Sequence, residues 1–146
     1  MVRGGVTLVP PFGFCIDPAA VTQRFALLAR CDVLSTDGLA AAPLAVITVS
    51  LSDAEAQTTL PSADQTAAAW GLSDVRQTRT RDRSVIFRAD GPTPSAAFHA
   101  SQWRGTALVG GHVMGVALYG AADRPPIGAE GGSILSDLIA ATKTAE

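Results

Sequence analysis

Hydrophobic positions along this chain alternate more often than they recur at helical spacing. "FGFCI" (12–16) sets Phe12, Phe14 and Ile16 on one side and Gly13 and Cys15 on the other, the period of two expected of a strand. Before it, "GVTLVP" (5–10) reads as a short strand stopped by Pro10-Pro11, because proline cannot donate a ladder hydrogen bond. Asp17-Pro18 reads as a helix start, with Asp as cap and Pro at the first helical position, followed by a brief helix through "AAVTQR". "FALLARCDVL" (25–34) places Phe25, Leu27, Ala29, Cys31 and Val33 on one face of a strand; a continuous helix through both pieces is the competing assignment. "STDGLAAA" is a turn and "PLAVITVSLS" (43–52) a β-branched strand.

The second half is richer in hairpins. In "PSADQTAAAWG" (61–71), Ser62 and Gln65 have capping-box spacing and Gly71 stops the helix. "DVRQTRT" and "SVIFRAD" flank the polar turn Arg81-Asp82-Arg83, and "GPTPSA" (91–96) is a loop. In "WRGTALVGGHVMGVALYG" (103–120), Gly110-Gly111 suits a two-residue turn of positive φ. That register pairs Val109 with His112, Ala107 with Met114 and Trp103 with Leu118, all on one face. Ser133 is the expected cap of a closing helix whose stripe is Ile134, Leu135, Leu138 and Ile139, with Asp137 early and Lys143 late. Strands outnumber helices and helices come singly. The expected class is α+β, a mainly antiparallel β-sheet covered by a few α-helices.

At 146 residues the expectation is one globular domain spanning 1–146. Apolar residues make up 47% of the chain and charged ones 16%, which argues against wholesale disorder. A formal net charge of −2 excludes a domain that is basic overall but allows a local basic patch. Ten arginines against one lysine, with abundant Ala and Gly, reflect a GC-rich bacterial genome. No run reaches the roughly 18 to 20 apolar residues of a membrane span, and "MVRGGVTLVPP" has no apolar core of a signal peptide. Two readings fit: a cytoplasmic protein, or a mature exported domain, periplasmic in location, whose signal was replaced by an initiator methionine. The abrupt start favours the second.

Candidate chemistry is sparse. Cys15 and Cys31, the only cysteines, stand sixteen apart and form no CxxC pair. A zinc site would need further Cys or His ligands in close pairs, and His99 and His112 do not complete one, so no metal is expected. If the segments carrying the two cysteines run side by side, a disulfide closes; the alternative is a pair of buried free thiols in a cytoplasmic protein. No serine sits in GxSxG. His112 falls on the mostly apolar hairpin face, where a structural histidine is the simpler reading than a general base. "GAEGG" and "RGG" lack the spacing and lysine of a phosphate loop, and no cofactor is expected. The most singular feature is "RQTRTRDRSVIFR", with Arg76, Arg79, Arg81, Arg83 and Arg88. Guanidinium groups suit carboxylates and phosphates. A solvated hairpin, partly neutralised by Asp74, Asp82 and Asp90, explains them without a ligand. With Phe87 as the only stacking aromatic nearby, an acidic protein partner is favoured over nucleic acid.

The order of elements resembles the PsbP/Mog1-like fold, including exported bacterial members of that group. The resemblance runs through "VTLVPPFGFCI", "PLAVITVSL", the arginine hairpin into "VIFRAD", "WRGTALVGGHVMGVALYG" and the helix "SILSDLIAAT". It spans most of the chain as a pattern of strands; the cysteines and "CID" lie outside it. Members of that group are mainly non-catalytic accessory or binding proteins, so the resemblance implies a non-enzymatic accessory or binding domain of an exported bacterial protein. The alternatives are a small hydrolase using His112 as general base, or an anion or nucleic-acid binder through the hairpin 76–88.

Overall fold

The computed structural model describes the chain except residues 1, 4–5, 23, 35–43, 53–59, 82, 110–111 and 145–146. In chain order its elements are β1 (Val2–Arg3), β2 (Val6–Thr7), β3 (Phe14–Val21), β4 (Phe25–Arg30), α1 (Cys31–Leu34), β5 (Ala45–Leu51), α2 (Ala63–Ala69), β6 (Ser73–Arg81), β7 (Ser84–Asp90), β8 (Phe98–Val109), β9 (His112–Ala121), α3 (Ala129–Ala141) and β10 (Lys143–Thr144). Seven strands form one antiparallel sheet in the order β3-β4-β5-β9-β8-β7-β6. The short strands β1, β2 and β10 form a second sheet that ties the start of the chain to the end of α3. The architecture is α+β, as the alternation in the sequence implies.

Alternation assigns the two faces of the large sheet. One face carries Leu28, Ile47, Val49, Val116, Leu118, Met114, Trp103 and Ile86, all nearly inaccessible, and packs against Leu135 and Leu138 of α3. The predicted pairs Val109↔His112, Ala107↔Met114 and Trp103↔Leu118 are all observed; the connecting turn lies outside the described residues. On the other face, α2 covers only the β6–β7 end, where Ala67 and Leu72 meet Phe87 and Ala89. The helix forms as its sequence implies. Ser62 Oγ accepts from Gln65 N–H at 3.1 Å, Gln65 Oε1 accepts from Ser62 N–H at 2.8 Å, and Gly71 turns the chain at φ 67°. Among the described residues, no helix lies on the rest of this face, over β4, β5, β9 and β8.

Three expectations are corrected. The helix expected from Asp17-Pro18 is instead part of edge strand β3. Asp17 Oδ1 does accept from Ala19 N–H, at 2.9 Å, but the turn it makes is a bulge. Pairing jumps from Ile16↔Leu28 to Val21↔Ala26, five steps on β3 against two on β4. An edge position tolerates Pro18, which has no N–H to offer a further neighbour. The strand expected over 25–34 ends at Arg30 and gives way to the single turn α1; its core-facing residues are Ala26 and Leu28, while Phe25 and Leu27 face the other way. The closing helix begins at Ala129 with Gly128 as N-cap, so Ser133 lies inside it and is no cap; Lys143 lies beyond it, in β10.

The early helix start is explained by Trp103. Its indole N–H points at the carbonyls of Ile127 and Gly128, 3.3 and 3.0 Å away, and its ring lies flat beneath Gly131 and Gly132. An added Cβ at Gly131 would lie 2.6 Å from Trp103 Nε1, and one at Gly132 2.8 Å from Trp103 Cζ3. These glycines, poor helix formers alone, are where the helix comes closest to the sheet.

Candidate functional site

The residues singled out from sequence fall at three separate places. Cys15 and Cys31 form a disulfide, with Cα atoms 5.0 Å apart. It links edge strand β3 to the start of α1, beside the pair Cys15↔Ala29. Next to it, Arg30 donates through Nη2 to Asp32 Oδ2 at 2.9 Å, and this guanidinium holds the Asp32 carboxyl below its ordinary value.

The arginine hairpin is more internally occupied than its sequence suggests. Bulges in β6 place Asp74 and Gln77 at φ 57° and 52°. Because of them, Arg76, Arg79 and Arg81, paired with Arg88, Ile86 and Ser84, share one face. Arg76 donates to Asp90 Oδ1 and Asp74 Oδ2, each at 3.1 Å, and to Ser101 Oγ at 3.2 Å. Arg88 donates to the same Ser101 Oγ at 3.0 Å and to Gln77 Oε1 at 3.3 Å. Arg79 lies over the Trp103 ring, 5.6 Å from its centroid, and donates to Ser133 Oγ and the Ala129 carbonyl on α3. Arg81 and Arg83 are exposed near the hairpin tip.

His112 sits 2.8 Å, through Nδ1, from the Ser52 carbonyl oxygen, a contact that requires the proton on Nδ1. Its partner is thus a backbone acceptor, and Ser52 Oγ accepts from Val113 N–H at 2.8 Å. His99 Nδ1 accepts from Ser101 N–H. Among the described residues no cluster of His, Cys, Asp or Glu could hold a metal ion.

A fourth place was not singled out from sequence. On the sheet face that α2 leaves open lies a groove of about 430 Å³, within the size range of small-molecule sites. Its floor exists because central strands present small side chains on this face. Thr48 pairs with Ala117, and Gly115 lies between Ser50 on β5 and Thr106 on β8. Phe25 and Leu27 form one wall; Trp70, Pro94 and Phe98 form the other. The lining is predominantly apolar, with Trp70 and Phe25 exposed at 59% and 39%.

Beside the small hydroxyl residues of the floor, Arg104 and Thr66 stand in this lining. Arg104, half-buried on β8, stacks between Trp70 and Tyr119, 5.0 and 5.3 Å from their ring centroids. Its Nε donates to Gln102 Oε1 at 2.7 Å. The Gln102 carboxamide is oriented by its own NH2 group, which faces the carbonyls of Gly91, Pro92 and Ala100. No Asp or Glu among the described residues pairs with Arg104. Burial pulls its guanidinium below the ordinary arginine value, and Tyr119 opposes that shift. The second group is Thr66, 8% exposed, one turn before Trp70 on α2; its Oγ1 is buried without a hydrogen-bond partner in the protein.

The sequence holds a trace of this site. Gln102, Arg104 and Thr106 alternate with Trp103, Gly105 and Ala107, and the facing strands carry Thr, Ser, Gly and Ala where bulky residues are usual. No family model matches the chain, and no curated protein matches it.

Proposed function

We propose that this chain is a non-catalytic ligand-binding domain of an exported bacterial protein, of the PsbP/Mog1-like kind, holding a small apolar molecule in the open-face groove. The observation that carries this reading is the groove itself. Native sheets rarely leave a large concave apolar surface without use, and here the floor is hollowed by small residues on three neighbouring strands. The disulfide supports export, because such bonds persist mainly in oxidising compartments. Exposed Arg81 and Arg83 at the hairpin tip support a second contact, with an acidic protein partner.

The test fills the groove. Thr48 is half-buried on the floor, in a strand that accepts aromatic residues, so Thr48→Phe should occupy the space while the domain still folds. A neutral fluorescent probe such as N-phenylnaphthylamine should bind the wild-type protein saturably at one site, and Thr48→Phe should abolish that binding without lowering the melting temperature. Equal binding by both proteins, or none by the wild type, rejects the groove as the site.

A further inference from the structure

Burying a cation is unfavourable unless it is compensated. Arg104 is compensated only in part. Its Nε is committed to Gln102, and the faces of Trp70 and Tyr119 cover its plane. Stacking of this kind stabilises the charge and fixes the plane of the fork. No carboxylate among the described residues neutralises it, although Arg30 and Arg76 on the same sheet each have one. Thr66 lines the same groove, but its Oγ1 is closed off from it.

We infer that Arg104 is the seat for the head group of a monoanionic amphiphile, a carboxylate whose apolar tail lies along the groove floor toward Phe25 and Leu27. This rests on the groove being the binding site proposed above and adds the ligand's charge and orientation. A carboxylate meets the guanidinium fork in charge-assisted hydrogen bonds. An uncharged molecule of the same length leaves that charge uncompensated, and a cationic one is repelled. Gln102 acts as a positioning residue: by holding Nε, with the Tyr119 side chain also bonded to the guanidinium, it fixes the direction of the fork.

The experiment compares decanoate, decanol and decyltrimethylammonium by calorimetry and by tryptophan fluorescence. Of the two tryptophans, Trp70 is at the groove and Trp103 is fully buried, so a Trp70→Phe control assigns the signal. Decanoate should bind the wild-type protein at least tenfold tighter than decanol, with decyltrimethylammonium weakest. Arg104→Gln should weaken decanoate by roughly 10- to 100-fold, the range for a hydrogen bond to a charged group, and leave decanol within about twofold. Its melting temperature without ligand should fall modestly, because the contacts to Gln102, Trp70 and Tyr119 go with the charge, and the unchanged decanol affinity controls for that loss. Arg104→Lys, which keeps the charge but loses the planar fork, provides a second variant should Arg104→Gln not fold, with a loss of about threefold or more for decanoate. Equal binding of decanoate and decanol to the wild-type protein, or decanoate affinity unchanged in both variants, overturns the carboxylate seat while the groove reading stands. Failure of all three probes and of the neutral dye overturns both.

Discussion

Single residues in this protein are often explained by one neighbour, and Trp103 is the clearest such neighbour. In an exposed helix, replacing glycine by alanine stabilises by about 1 kcal/mol. In α3 the same change at Gly131 should have the opposite sign, because the new methyl would lie 2.6 Å from the indole nitrogen. Neither group can retreat easily: Trp103 is 1% exposed and its N–H is held by the carbonyls before the helix. Overpacking of this kind costs roughly 1 to 3 kcal/mol. Urea melts of Gly131→Ala should show that loss, whereas a gain would mean that helix and sheet are less closely seated than described. Arg104 shows the converse. Its neighbours Trp70, Tyr119 and Gln102 explain its position but do not supply its counter-charge, and that is why it points to a ligand.

At the scale of elements, the sequence is legible where a local rule and the tertiary context agree. The capping box of α2 and the β8–β9 register are of this kind, the second because a one-residue slip would turn Trp103, Met114 and Leu118 out of the core. It misleads where context prevails over a local signal. Asp17-Pro18 has a helix-start signature, yet β4 holds the flanking residues in a strand and the signature survives only as a bulge. Ser133 looks like a cap, yet Trp103 draws the preceding turn into the helix. The groove was hidden for a related reason: alternation shows which residues share a face, but not which part of a face a helix covers. The arginine hairpin was half legible. Its pairing follows the sequence, but strict alternation would put Arg76 and Arg79 on opposite faces, and the bulges bring them together. This changes the expected effect of mutation. Arg79→Ala removes contacts to Trp103, Ser133 and Ala129 and should cost about 1 kcal/mol or more. Arg81→Ala with Arg83→Ala should leave the melting temperature nearly unchanged and weaken any salt-dependent binding of an acidic protein. Should the double variant unfold the domain, or Arg79→Ala have no effect on stability, these structural assignments are reversed.

For the molecule as a whole, stability is unevenly distributed along the large sheet, and the disulfide lies at its weaker edge. The strands β9, β8 and β7 pair on both sides and carry the most buried residues. Among the described residues strand β3 pairs only with β4; it contains Pro18 and has a bulge with three extra residues. Such edges open locally at low free energy, and the link from Cys15 to Cys31 restrains this one. Closing a loop of 16 residues stabilises by about 3 kcal/mol on the chain-entropy account. Thiol titration of the unfolded, unreduced protein should therefore find no free cysteine. Cys15→Ala with Cys31→Ala should lower the midpoint of a urea melt in proportion. Hydrogen exchange should locate the loss, with amides of β3 exchanging faster by a larger factor than those of β8 and β9, because the edge can open before the centre does. Equal acceleration in all strands would mean that β3 opens only with the whole domain. The disulfide would then stabilise the entire fold instead of holding one strand to its edge.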